Sequence, residues 1–277
     1  MNVFSRYAPF IQDYIYRSGW QSLRGVQNAA GEAIFGTEDN VLLTASTASG
    51  KTEAAFFPIL TLLEEDPPSS VGVLYIAPLK ALINDQFGRL EELCGEAGIA
   101  VTRWHGDVPQ TRKRKLLQKP SGILQITPES LESLLINKHM EIPSLFGDLR
   151  FLVVDEIHSL LRGDRGMQTF CLIERIGRLA GCTPRRIGLS ATIGNPEAAG
   201  RFLAAAVDAG PSFPGLTGEK RCGACPWSIF SIRLPRRTRL GPPVPKLSGR
   251  KPPRTPRRRQ LIRGLAISLN IPGGKNA

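Results

Sequence analysis

Acidic residues all but vanish from the last quarter of this chain: Glu219 is the one acid among residues 211–277, against 15 lysines and arginines. The net charge of +12 therefore comes almost wholly from that segment, and the preceding 210 residues carry about −2, with 21 basic and 23 acidic residues. The overall +12 is therefore no measure of a nucleic-acid-binding surface on the body, because nearly all of that charge is on the tail. Cysteine is sparse and odd in number: Cys94, Cys171, Cys182, Cys222 and Cys225 form no paired framework, which fits reduced thiols in a cytoplasm. Cys222 and Cys225 have C-x-x-C spacing but no neighbouring second pair or histidine to complete a tetrahedral zinc site. Long hydrophobic runs are missing too. VGVLYIAPL at 71–79 is of strand length, which excludes a membrane span, and Arg6, Asp13 and Arg17 interrupt the start, which excludes a signal peptide.

What is present is an alternation. Buried-type runs at 40–45, 71–77, 101–104, 122–127, 151–156 and 186–191 read as parallel strands, and apolar residues at helical spacing fill 51–63, 80–95, 128–136 and 167–181. That order predicts an α/β fold, a doubly wound parallel sheet with helices on both faces. The character changes near residue 206. Half of the 22 prolines and a heavy arginine load follow, without periodicity until LIRGLAISLNI, so 208–277 is expected to be a low-complexity basic tail, mostly disordered or the product of a shifted reading frame.

Three short motifs fall where predicted strands end, the place where ligands bind in such sheets. ASTASGKT at 45–52 has the parts of a phosphate-binding loop. Gly50 allows the tight turn, backbone N–H groups from Ala48 onward converge on a triphosphate, Lys51 neutralises it and the Thr52 hydroxyl ligates magnesium. Ala48, Ser49, Gly50, Lys51 and Thr52 are thus the nucleotide-binding candidates, although Ala45 stands where the full motif has its first glycine. DEIH at 155–158 follows an apolar strand. Asp155 is placed to hold the metal and Glu156 to orient or deprotonate an attacking water. SAT at 190–192 ends the last predicted strand.

With these motifs on the page, the body resembles the first RecA-like domain of superfamily-two DEAD/DEAH-box helicases, of the large helicase-related type. The resemblance covers about residues 10–205 and implies a RecA-like ATP-binding domain over 1–207 with a Q-motif-like segment at 10–35. GWQSLRGVQ at 19–27 is similar to the adenine-recognising motif, with Gln27 as the base-reading amide and Leu23 where the family carries proline. APLKAL at 77–82 and TPESL at 127–131 resemble strand-contacting motifs, so Pro78, Lys80, Thr127 and Pro128 are carried over as nucleic-acid contacts. His158, Ser190 and Thr192 would couple hydrolysis to domain movement. RKRK at 112–115 reads either as a phosphate-contacting patch or as a solvated helix face, and the HGD turn at 105–107 has no assigned role.

The resemblance implies ATP and magnesium as cofactors, DNA or RNA as partner, a cytoplasmic location and no membrane. Family members close a second RecA-like domain over the nucleotide and gain ~10³ or more in rate from its arginine. These 277 residues show no such second domain in sequence, so the chain taken alone is expected to be truncated, to hydrolyse ATP poorly and not to unwind. Two other readings stand beside it: an ATP-dependent switch completed by a second protein that supplies the arginine, and a non-enzymatic protein that binds nucleic acid through its arginine-rich tail.

Overall fold

The computed structural model describes residues 2–46, 49–161, 163–191, 199, 200 and 203, and the backbone of 216–221 and 227–232. All belong to one compact unit, Met1–Arg236. Three helices lead in: α1 (Val3–Arg6), α2 (Pro9–Arg17) and α3 (Gly25–Gly36). Strand and helix then alternate through β1 (Asn40–Ala45), α4 (Lys51–Glu65), β2 (Val71–Ile76), α5 (Lys80–Gly95), β3 (Val101–Trp104), α6 (Gln110–Gln118), β4 (Gly122–Ile126) and α7 (Pro128–Asn137). A 3₁₀ turn at His139–Glu141 joins α7 to α8 (Ile142–Phe146), followed by β5 (Phe151–Val154), α9 (Ile157–Leu160), α10 (Asp164–Ala180) and β6 (Arg185–Ser190).

β1, β2 and β5 are buried at every residue, which is why they read as unbroken apolar runs rather than as alternating ones. Their side chains still alternate between two cores. Val41, Leu43, Val73 and Val153 pack on one face against the leading helices, α4 and α5, whereas Leu42, Leu74, Leu152 and Val154 pack on the other against α7, α8 and α10. The strand order is β3-β4-β2-β5-β6-β1, all parallel, so the six expected strands form a RecA-like α/β sheet.

Small differences from the predicted boundaries have local causes. β5 stops at Val154, because Glu156 takes a left-handed conformation (φ 46°) that leaves the ladder. α10 starts earlier than the periodicity implied, at Asp164, behind Gly163 with φ 82°. The structure also holds two strands that the sequence reading did not contain, β7 (Leu216–Arg221) and β8 (Trp227–Ile232). They pair antiparallel with each other, and β8 pairs antiparallel with β1 with Leu43 opposite Ile229, so the sheet continues past the boundary expected at 207. WSIFSI is a single short apolar run amid proline and arginine, and it has no period to betray it.

The register matters for function. Ile76 pairs with Val154, Val154 with Gly188, and Thr44 with Ser190, so β1, β2, β5 and β6 finish along one edge. Ala45 and Ser190, 145 residues apart in sequence, are thereby delivered to one place.

Candidate functional site

The loop after β1 turns sharply into α4. Gly50 caps that helix in the left-handed region (φ 81°, ψ 32°), a conformation that costs other L-residues about 1–2 kcal/mol. The fit behind it is equally close: a Cβ on Gly50 would stand 2.9 Å from Gln27 Nε2. Lys51, 8% exposed, donates from Nζ to the carbonyls of Ala45 at 2.7 Å and Ser46 at 2.9 Å. Burial lowers the Lys51 pKa, and the nearby Glu156 and Asp155 carboxylates oppose that shift. Ser49 Oγ is buried with no hydrogen-bond partner among the described residues. Ala48 lies outside the described residues.

Asp155 enters the same place from the end of β5. It is 6% exposed, and burial raises its pKa; a hydrogen bond from the Tyr75 hydroxyl to Oδ2, another from the Glu156 N–H to Oδ1 at 2.8 Å, and the Lys51 charge all act against that rise. A cavity of about 550 Å³ is lined by Ser49, Gly50, Lys51, Thr52, Asp155 and Glu156 on one side and by Tyr14, Trp20, Arg24 and Arg89 on the other. Loop, hydroxyl and carboxylates therefore share one chamber, as the strand-end argument required.

Gln27 has a different position from the other loop partners. It is fully buried on α3 behind the loop, and its Oε1 accepts from the Arg24 N–H at 2.9 Å as half of a capping box. Its Nε2 has no hydrogen-bond partner among the described residues and faces the Gly50 turn. Arg24 and Trp20, which the sequence reading did not single out, line the cavity where Gln27 does not.

From the acidic motif, a relay runs to β6. His158 Nδ1 is 3.1 Å from Glu156 Oε2 and 3.1 Å from Ser190 Oγ, and Ser190 is fully buried. Thr192, the third member expected here, lies outside the described residues.

A second concavity, a groove of about 500 Å³, gathers Pro78, Lys80 and Thr127 with Trp104, His105 and Lys113. Lys80 pairs with Asp107 at 3.2 Å, and Thr127 caps α7 by accepting from the Ser130 N–H at 3.3 Å. Pro128 sits buried beneath, at the first position of α7. Of the four charges in RKRK, Lys113 alone lines the groove, 5.7 Å from the Trp104 ring centre. Trp104 and Phe87 are buried in the core.

Sequence reasoning missed Arg165. From α10 it donates to the Pro78 carbonyl and, at 2.8 Å, to Glu129 Oε1, so one guanidinium ties the segment after β2 to the start of α7. The signal was weak, one of two arginines in LRGDRG next to a motif already assigned.

Among the described residues there is no cluster of three or more His, Cys, Asp or Glu that could hold a metal, and no helix is long and apolar enough to cross a membrane. Cys94, Cys171 and Cys182 are free thiols.

Comparison with known proteins agrees with this geometry. The DEAD/DEAH box helicase model matches residues 24–199. The chain is 39% identical over 180 residues to the ATP-dependent helicase Lhr-Core of Methanothermobacter thermautotrophicus, covering 59% of this chain and 20% of that protein. It is 34% identical over 180 residues to a Mycolicibacterium smegmatis protein described as Lhr helicase/probable uracil glycosylase, covering 60% of this chain and 12% of that one. Among solved structures, the Mycobacterium smegmatis helicase Lhr bound to ssDNA and AMP-PNP matches with a TM-score of 0.64 and 30% identity, over 74% of this chain and 27% of that one. The DEAD-box helicase Mss116, at 19% identity and a TM-score of 0.63, shares the fold. The chain thus spans about a fifth or less of the length of these curated Lhr relatives. With its RecA-like sheet, its phosphate loop and its DEIH strand end, the chain belongs to the DEAD/DEAH box helicase family, by family ATP-dependent helicases.

Proposed function

We propose that residues 1–207 form the ATP-binding domain of an ATP-dependent nucleic-acid helicase or translocase, which takes Mg–ATP in the loop cavity and a nucleic-acid strand along the groove. The observation that carries this reading is the meeting of Lys51, Thr52, Asp155 and Glu156 on one cavity of about 550 Å³. The donor set suits the ligand. An ammonium, a left-handed glycine turn, the N-terminus of a 15-residue helix and the unpartnered Ser49 hydroxyl favour phosphate oxygens. One hydroxyl and one carboxylate, completed by phosphate oxygens and water, are a hard-oxygen set of the kind magnesium takes.

In this reading Lys51 leaves the Ala45 and Ser46 carbonyls to neutralise the β- and γ-phosphates, and Thr52 and Asp155 hold the metal. When bound, magnesium neutralises charge developing on the transferred phosphoryl group. Glu156 orients the attacking water, and its contact with His158 passes the state of that carboxylate to Ser190, with Thr192 assigned to the same coupling. Trp20 and Tyr14 offer aromatic surface to the base, and Gln27, assigned to the base edge, has to turn its Nε2 out from behind the Gly50 turn to reach it. An arginine from a partner protein or a second domain completes the hydrolytic site, and turnover by these residues alone is slow without it.

Lys80 and Thr127 contact the strand backbone, with Pro78 and Pro128 shaping the segments that carry them. Such contacts suit either DNA or RNA. Free thiols at Cys94, Cys171 and Cys182 fit a reducing cytoplasm.

The test is anisotropy of a labelled single-stranded oligonucleotide with the whole chain. Domain-based binding predicts that strand affinity changes when a nucleotide analogue is added and falls in Lys80→Ala. Binding driven by the tail alone would ignore both changes and weaken steeply with salt.

A further inference from the structure

Tyr75 is the next-to-last residue of β2, fully buried, and its hydroxyl donates to Asp155 Oδ2. Register explains the reach: Tyr75 pairs with Val153, so its ring lies beside the strand end that carries Asp155. On its own core face its strand neighbours are Val73 and Ala77, and across the sheet is Val153. A phenyl ring, packed on Phe56 at 5.9 Å between centroids, would satisfy that packing without the hydroxyl. The hydroxyl is therefore an addition, and a buried hydroxyl is costly unless it is bonded.

We propose that Tyr75 is a positioning residue for the metal-binding carboxylate, acting through Asp155 and touching neither nucleotide nor metal. The inference rests on the proposed role of Asp155. Two donors arrive from fixed points: the phenol at Oδ2, from a ring held 5.9 Å from Phe56, and the Glu156 N–H at Oδ1. Two donors on two oxygens fix the rotation of the carboxylate plane, while the lone pairs left over serve the cavity that Asp155 lines with Lys51 and Thr52. Phe56 belongs to α4, the helix that begins at Lys51, so the same ring also packs β2 against that helix. Groups that orient a metal ligand by hydrogen bonds typically matter by 10–100-fold in metal affinity.

The test uses the full chain and a fluorescent ADP analogue, titrated with magnesium at fixed nucleotide, with Mn²⁺ binding followed in parallel by electron paramagnetic resonance. Tyr75→Phe keeps the ring and removes the hydroxyl. The expected result is a half-saturating magnesium concentration raised about tenfold, and weaker Mn²⁺ binding, with nucleotide affinity in EDTA within about twofold of the unmodified chain. A chain carrying 4-aminophenylalanine at position 75 keeps a donor at the same point and is expected to restore metal affinity. That replacement separates donation from packing, and it remains informative if the Phe variant melts below the assay temperature. Asp155→Asn is the control. If Asp155→Asn weakens metal binding and Tyr75→Phe leaves it within about twofold, the positioning role is overturned. If Asp155→Asn leaves metal binding unchanged, the assignment of Asp155 fails and this inference falls with it.

Discussion

His158 Nδ1 lies 3.1 Å from both Ser190 Oγ and Glu156 Oε2, so one imidazole nitrogen joins the acidic motif after β5 to the end of β6. A single nitrogen serves two oxygens, and removing one leaves the other. Ser190→Ala should therefore cost only about 0.5–1.5 kcal/mol in a urea melt, the range of one net hydrogen bond, and leave nucleotide affinity unchanged. A large loss of nucleotide affinity would mean that Ser190 belongs to the binding site and not to a relay beside it.

Gly50 is predicted to be intolerant. Its left-handed turn (φ 81°) and the 2.9 Å approach of Gln27 Nε2 both oppose a side chain. Gly50→Ala should destabilise the chain by about 1–2 kcal/mol from backbone conformation alone and weaken nucleotide binding as well. Thermal melts paired with a nucleotide titration read both effects.

Arg165 should matter to the strand, because it lines the same groove and holds two of its walls. It fixes the Pro78 carbonyl and Glu129 at once, so Arg165→Ala frees both strand-contact segments. Oligonucleotide affinity is expected to fall about tenfold, ~1.4 kcal/mol, in an anisotropy titration. Arg165→Lys should not restore it, because one ammonium cannot reproduce the planar fork.

These cases also mark what could be read from sequence. β1, β2 and β5 were legible because strands buried on both faces must be apolar throughout, and the meeting of Gly50, Lys51 and Asp155 on one cavity was legible because both motifs follow predicted strands. Tyr75 and Arg165 were not. Their partners stand 80 and 87 residues away, and only the strand order and the docking of α10 make them neighbours. Gln27 was found by motif, but its burial behind the loop depends on how α3 packs on α4, which spacing does not encode. The β7–β8 hairpin was hidden by the composition around it.

Cysteine chemistry gives a prediction independent of nucleotide. Burial pushes the Cys94 thiol up to about 12, whereas Cys171 is exposed. At pH 8, peptide mapping after alkylation should show Cys171 modified about 100-fold faster or more than Cys94. The sign for stability follows from the same shift: above pH 9 the unfolded thiol loses its proton while the folded one keeps it. Cys94 should thus lower stability as pH rises from about 9 towards 12, and Cys94→Ala should remove that part of the slope.

The central claim is that Lys51 and Asp155 meet on a nucleotide site. The most direct measurement is a calorimetric titration of Mg–ADP into the whole chain and into Lys51→Ala. One site per chain is expected, with a loss of ~2–3 kcal/mol or more in the variant, the worth of a hydrogen-bonded charge on phosphate. Equal binding by both chains, or no binding by either, would contradict it.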